Sequence, residues 1–264
     1  MEQSSSFLPR NAALSPYVDS IWTLTSHGDP MPYRLPPDAS FTCVFSFRGD
    51  TAVQNPRGTC ETIRGDFVTG IRTLPVTLLP AGPVDYVSVQ FKPLGFRALF
   101  CLHAQQVANQ FVDLGAVSRK LALLRASFLE DEVPIETRQD VIERLLLSIV
   151  QMKSPTPPLY LSRAVECIQA AHGNIRIDRL CSDIGITCRQ IQREFQSWMG
   201  VPVKFYARIV RMNRALVLLH SRNQTPDLAK LAVSLGYYDQ AHLCDEFSSL
   251  VGMTPLHVAR MGSD

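Results

Sequence analysis

Residues 177–200 read IDRLCSDIGITCRQIQREFQSWMG, and this stretch decides the fold of the C-terminal part of the chain. Leu180 and Ile184 before Gly185, then Ile191 and Phe195 after it, put apolar side chains at helical spacing on either side of a residue suited to a tight turn. The pattern predicts a helix-turn-helix. Thr187 stands where a hydroxyl can cap the second helix. The outward face of that helix then carries Arg189, Gln192 and Arg193, side chains able to bond phosphates and base edges.

Residues 228–252, LAKLAVSLGYYDQAHLCDEFSSLVG, repeat the pattern. Leu231, Leu235 and Gly236 take the places of Leu180, Ile184 and Gly185, while Leu243, Phe247 and Gly252 take those of Ile191, Phe195 and Gly200. The second turn has one extra residue. Between the copies, the sequence from about Val203 to about His220 reads as one helix with Phe205, Ile209, Met212, Leu216 and Leu219 on its inner side. Its length of roughly 27 Å, at about 1.5 Å per residue, can set two recognition helices near one DNA turn apart, roughly 34 Å.

These residues resemble the AraC/XylS family of transcriptional regulators from about Leu159 to Met261. The resemblance is carried by Leu180 with Ile184-Gly185-Ile186, Ile191-Gln192-Arg193-Glu194-Phe195, Arg211-Met212 with Ala215 and Leu218-Leu219, Leu231-Ala232, Leu235-Gly236-Tyr237 and Gly252-Met253-Thr254-Pro255. It implies a double helix-turn-helix that binds double-stranded DNA. Base-facing positions carried over are Arg189, Gln192 and Arg193 in the first copy and Gln240, Ala241 and His242 in the second. Lys204, Arg208, Arg211 and Arg214 of the linking helix either touch phosphates or belong to a solvated face or a structural ion pair. Two positions depart from the family pattern. Asp245 and Glu246 stand late in the second recognition helix, where acidic groups would face a polyanion, and the proline of Gly200-Val201-Pro202-Val203 comes one place early.

Charge agrees with a nucleic-acid partner at this end of the chain. Residues 159–260 hold 12 Lys or Arg against 8 Asp or Glu, whereas residues 1–158 hold 14 against 15. The seven cysteines include no CxxC pair and no zinc-like spacing with His. No stretch reads as a signal peptide or an apolar span long enough to cross a bilayer, so a reduced, cytoplasmic protein is expected.

The first hundred or so residues read as extended segments broken by Pro and Gly: Tyr17 to Thr25, Phe41 to Phe47, Gly65 to Thr69, Val76 to Leu79 and Val84 to Phe91. Alternate large apolar residues in Phe41-Thr42-Cys43-Val44-Phe45-Ser46-Phe47 fit a strand with one face on a core. Tyr17-Val18 with Ile21-Trp22, Pro36-Pro37-Asp38 and Val89-Gln90-Phe91-Lys92-Pro93 are similar to the cupin-like sensor domains found ahead of this DNA-binding unit. From about Phe96 the period becomes helical. Leu121, Leu124 and Phe128, then Ile135, Val141, Ile142, Leu145, Leu146 and Ile149, suggest two helices turning near Asp131 to Pro134, which form either plain core or a homodimer contact.

Lys153-Ser154-Pro155-Thr156-Pro157-Pro158 cannot continue a helix and marks the boundary between a domain at 1–155, β-rich over 1–100 and helical over 101–152, and a domain at 156–264. Thr225-Pro226-Asp227 is expected to start the first helix of the second copy.

A metal-dependent cupin needs several histidines and a carboxylate, but His27 and His103 are the only histidines before residue 159. No nucleophile elbow or nucleotide-binding loop occurs either, so no enzyme, metal or cofactor is expected. Trp22, Tyr33, Phe41, Phe45, Tyr86 and Phe91 either line a cavity for a small-molecule effector or fill the core.

The fold expected is α+β: a cupin-like β-rich barrel with trailing helices, then an all-α domain of two helix-turn-helix units joined by a long helix. The function expected is a ligand-responsive, sequence-specific transcriptional regulator, an activator, with RNA polymerase and a second copy of the chain as further partners. The alternative is a small-molecule-binding or catalytic β-domain protein with a degenerate DNA reader.

Overall fold

The computed structural model describes residues 2–28, 31–127, 134–150, 155–220 and 227–261. The N-terminal part is built on strands β1 (Glu2–Phe7), β2 (Val18–Ser26), β3 (Tyr33–Leu35), β4 (Phe41–Arg48), β5 (Thr51–Gln54), β6 (Cys60–Ile63), β7 (Phe67–Thr69), β8 (Val76–Pro80), β9 (Asp85–Phe91) and β10 (Phe111–Asp113). They form two antiparallel sheets, one in the order β1-β2-β9-β4-β7-β10 and one in the order β3-β8-β5-β6. Helices α1 (Gly95–Phe100), α2 (Leu114–Val117), α3 (Arg119–Ser127) and α4 (Ile135–Val150) follow or interleave. The five expected strands are present as β2, β4, β7, β8 and β9. β1 carries no alternating apolar signal in GluGlnSerSerSerPhe, because it is held by backbone pairing to β2.

Pairing register sorts the side chains of the larger sheet. Phe41 lies opposite Phe91 and Phe45 opposite Val87, so these residues share the face that packs under α1. There Phe96 stacks on Phe41 with centroids 4.7 Å apart and meets Phe91 edge-on. The opposite face turns to the second sheet, and Val44, Phe67, Val84 and Tyr86 make a separate apolar cluster on it. Both faces of β4 are therefore covered, which is why Val44 is buried as well as Phe41, Cys43 and Phe45. In α4, Ile142, Leu145, Leu146 and Ile149 are buried in the chain's own core, so this stripe is core and not an exposed dimer surface. Phe128 and the turn at Asp131 lie outside the described residues.

The C-terminal part is helical: α5 (Leu159–Ala170), α6 (Ile177–Asp183), α7 (Cys188–Met199), α8 (Val203–His220), α9 (Leu228–Ser234), α10 (Gln240–Val251) and α11 (Pro255–Met261). The linking helix α8 begins directly after Pro202, so the early proline marks its start. Thr225 and Pro226 lie outside the described residues. Asp227 is the cap of α9, its carboxylate accepting from the Lys230 amide at 3.0 Å.

One cluster of buried apolar side chains runs from the β-rich part into the helical part. The joint is close at the end of α7. Gly200 closes that helix with φ +74°, and a Cβ there would come 2.7 Å from the Ala108 Cβ and 2.9 Å from the Ala104 carbonyl oxygen. Glycine is required twice over, for its conformation and for the approach of the 104–108 segment.

Candidate nucleic-acid interface

The first helix-turn-helix is α6, the turn Ile184–Thr187 and α7. Gly185 takes φ +72° in the turn, and the Thr187 hydroxyl accepts from the Gln190 amide at 3.1 Å. These are the turn and cap expected of them. Ile191, Phe195, Trp198 and Met199 anchor α7 in the core. Arg189, Gln192 and Arg193 are exposed on its outer face. Arg193 reaches sideways to the Glu194 carboxylate at 3.3 Å while its own side chain stays 74% exposed, so it is free to swing to another anion.

Two grooves flank this face. One, of about 490 Å³, is lined by Thr187, Arg189, Gln190 and Arg193. The other, of about 660 Å³, is lined by Arg189, Gln192, Arg193, Glu194, Gln196 and Ser197, with His103 and Gln105 of the N-terminal part as its far wall. The sequence offered no reason to put His103 or Gln105 beside a recognition helix. Ser197 Oγ lies 3.3 Å from His103 Nδ1 and accepts from Arg97, whose guanidinium also covers the Trp198 ring.

The second copy comprises α9, a turn of five residues from Leu235 to Asp239, and α10; its turn is one residue longer than that of the first. Asp239 caps α10 through the His242 amide at 2.7 Å. Gln240, Ala241 and His242 are exposed in the first turn of α10, and the His242 ring meets Tyr237 edge-on at 5.3 Å. Tyr238, just ahead of the cap, is 90% exposed. Sequence reading passed over this side chain, although an aromatic in a turn before a reading helix is a usable signal.

The two acidic residues of α10 separate. Asp245 is exposed. Glu246 turns inward, pairing with Arg208 at 3.0 Å and Arg211 at 3.5 Å and accepting from the Tyr237 hydroxyl at 3.1 Å. Arg211 also lies over the Tyr237 ring at 4.6 Å. Burial, and then the Glu246 charge, push the Tyr237 phenol well above its ordinary range, so it stays protonated and donates. This corrects the expectation that Glu246 opposes a polyanion: its charge is matched internally and braces α10 on α8. The same geometry assigns Arg208 and Arg211 to the structural ion pair. Lys204 is exposed and Arg214 partly so, leaving both in reach of a phosphate.

The aromatic set, expected either to enclose an effector or to fill the core, is divided among different places. Phe41, Phe45 and Phe91 are fully buried on the helix-covered face, whereas Tyr86 faces the other sheet, its hydroxyl 2.5 Å from Thr51 Oγ1. Trp22 and Tyr33 are 44% and 60% exposed. What the inner face of the larger sheet carries instead is a polar chain: Trp22 Nε1 donates to Ser20, Ser20 to Gln90, and Gln90 to Ser40, which bonds Asp38. Nearby, Arg72 is buried, gives one hydrogen bond to the Pro36 carbonyl at 3.3 Å and has no partner for Nε among the described residues.

Two capped helix-turn-helix units on one connecting helix, each with a polar exposed reading face, define a double helix-turn-helix protein. Residues 180–261 match the model of a helix-turn-helix domain, and residues 6–113 match a domain of unknown function (DUF6597). The chain is 22% identical over 149 residues to the HTH-type transcriptional activator RhaR of Salmonella typhimurium and, equally, of Salmonella newport. That alignment covers 56% of this chain and 46% of each relative, so the chain spans about half the length of the curated relatives it matches. ToxT of Vibrio cholerae shares the fold over 98% of both chains, with a TM-score of 0.51 at 9% identity. So does ToxT solved bound to (E)-4-(8-methylnaphthalen-1-yl)but-3-enoic acid, with a TM-score of 0.51, 10% identity and 99% of each chain covered. Residues 180–261 are thus a helix-turn-helix domain of the AraC type. No helix among the described residues is long and apolar enough to cross a membrane.

Proposed function

We propose that this chain is a sequence-specific DNA-binding transcriptional regulator, read out through both helix-turn-helix units and controlled at its N-terminal domain by a small organic acid. The observation that carries the first half is the pair of capped reading helices held on α8, with Arg189, Gln192 and Arg193 on one and Gln240, Ala241 and His242 on the other. Internal neutralisation of Glu246 supports a working second reader over a degenerate one. Titrating the full chain against genomic DNA fragments at two salt concentrations tests it. Affinity should fall steeply with salt as phosphate contacts release counterions. Folded protein with no salt-sensitive binding to any fragment would remove the reading.

The effector half is supported by the N-terminal β-rich domain and by the acid bound to ToxT. In this chain the reading moves the site from the aromatic set to the polar chain near Asp38, where Arg72 supplies an unpaired buried donor for a carboxylate. An aryl-substituted fatty acid should raise the melting temperature of the wild type and leave Arg72→Gln unmoved. Activation through RNA polymerase and pairing of two copies on DNA belong to the same proposal. The RhaR relatives, described as activators, support it.

A further inference from the structure

Two of the side chains that line the larger groove beside α7 come from outside the helix-turn-helix. His103 and Gln105 belong to a short 3-10 turn, Ala104–Gln106 with His103 as its cap, that lies between α1 and β10. Ala104 and Val107 are buried and anchor the turn, which leaves His103 and Gln105 exposed. The turn is seated on the end of α7: the Ala104 carbonyl oxygen would lie 2.9 Å from a Cβ on Gly200, and Ser197 Oγ is 3.3 Å from His103 Nδ1. Its polar side chains therefore stand at a fixed place beside the first reading helix.

We propose that His103 and Gln105 are DNA contacts supplied by the N-terminal part, donating to phosphates of the strand that passes along the side of α7 carrying Gln192 and Gln196. The proposal rests on the DNA-binding reading above. A helix about 10–12 Å across fills a major groove about 12 Å wide, so the backbone of each strand must run along one flank of the reading helix. α7 has a groove on each flank, and Arg189 and Arg193 border both. The smaller is formed by residues of the helix-turn-helix alone. The larger, of about 660 Å³, has Gln192, Gln196 and Ser197 on one wall and His103 and Gln105 on the other. A strand lying in it meets polar groups from both sides. Its lining holds two arginines against one acid, Glu194, which Arg193 already meets at 3.3 Å.

The position and chemistry of the pair suit phosphates and not base edges. Ser197 lies eight residues beyond Arg189, about 12 Å further along the axis, whereas base edges are read from the first turns of such a helix. Ser197 Oγ accepts from Arg97, which leaves its own hydrogen for His103 Nδ1. The imidazole then carries its hydrogen on Nε2, away from Ser197. Gln105 offers the N–H groups of its amide. Both side chains present donors, as a phosphate oxygen requires.

The test uses the full chain on the genomic fragment it binds most tightly, with salt titrations followed by anisotropy and melting temperatures to show that each variant is folded. Gln105→Ala should bind about three- to tenfold more weakly, on every fragment alike, since phosphates carry no sequence. Gln105→Lys should bind more tightly, with a salt slope steeper by about one. Thr62→Lys, the same charge added at an exposed position on β6 outside the groove, should leave the slope unchanged. His103→Asn keeps an amide beside Ser197 but lacks the Nε2 donor, so it should lose a similar factor, and His103→Gln should regain it. Equal binding by those two removes His103 from the contact. An unchanged slope for Gln105→Lys, the same gain from Thr62→Lys, or tighter binding by Gln105→Ala overturns the proposal, the last because the turn would then obstruct DNA. A wild type with no salt-sensitive binding to any fragment defeats the DNA-binding reading itself and this inference with it; salt-sensitive wild-type binding with no response at Gln105 defeats this inference alone.

Discussion

The Arg97 guanidinium carbon lies 4.7 Å from the centroid of the Trp198 ring, joining α1 of the β-rich part to the last turn of the first reading helix. The same guanidinium donates to Ser197, which lies beside His103. The position of the N-terminal part is thus registered on α7 itself, about one turn from Arg193. Such a joint would give the proposed effector a direct route to the reading face, because a shift of α1 is passed to Ser197 and Trp198 through Arg97.

Replacing Arg97 by Ala removes the ring contact and the hydrogen bond together. Stability should fall by about 1–2 kcal/mol. Calorimetry should show the single melt broadening or splitting as the two parts uncouple, whereas Arg97→Lys, which keeps the charge over the indole, should retain most of the coupling.

Glu246→Ala should cost more, about 2–4 kcal/mol, since it strands Arg208 and Arg211 together and leaves the Tyr237 hydroxyl without its acceptor. Its neighbour behaves oppositely. Asp245→Arg replaces an exposed acid of α10 with a base, so affinity should rise across all sequences and the salt slope steepen by about one phosphate. Chemical denaturation of the first and salt-dependent anisotropy of the second separate bracing from surface charge. Specific binding weakened by Asp245→Arg in a folded protein would show Asp245 to be a contact in its own right.

Arg193→Ala should cost roughly 1–3 kcal/mol of specific binding and relax preference at one base position, more than any single change among Gln240, Ala241 and His242. Lys204→Ala should weaken all sequences alike and lower the salt slope by about one. Binding to a randomised site library, followed by titration in salt, reads both. Equal losses at α7 and α10 would refute the unequal reading of the two copies.

Gly200→Ala forces a Cβ into the Ala104–Ala108 segment at a φ that L residues seldom adopt. We expect a loss of roughly 2–3 kcal/mol, seen as a lower midpoint in urea, with DNA affinity falling alongside because α7 loses its seat.

The C-terminal domain was legible from sequence because its determinants are local. Apolar residues at helical spacing, a glycine in each turn and a cap within three residues specify α6 through α10 before any tertiary contact forms, and α8 begins and ends where its periodicity does. The residues expected to face bases are exposed, being what those helices leave outside. Within Thr225-Pro226-Asp227, expected to start α9, Asp227 is the capping residue.

What tertiary structure alone decided was which distant groups meet. Strand residues change face with each step, and irregularities between Val18 and Ser20 and between Ser46 and Arg48 reset that count, so Trp22, Phe41 and Tyr86 could not be assigned to one cavity or several from spacing. Glu246 finds Arg208 across 38 positions and Arg97 finds Ser197 across 100, and no periodicity reaches so far. The sequence determined the reading helices because helix formation is local; charge pairing and domain seating depend on burial, which exists only once the chain has packed.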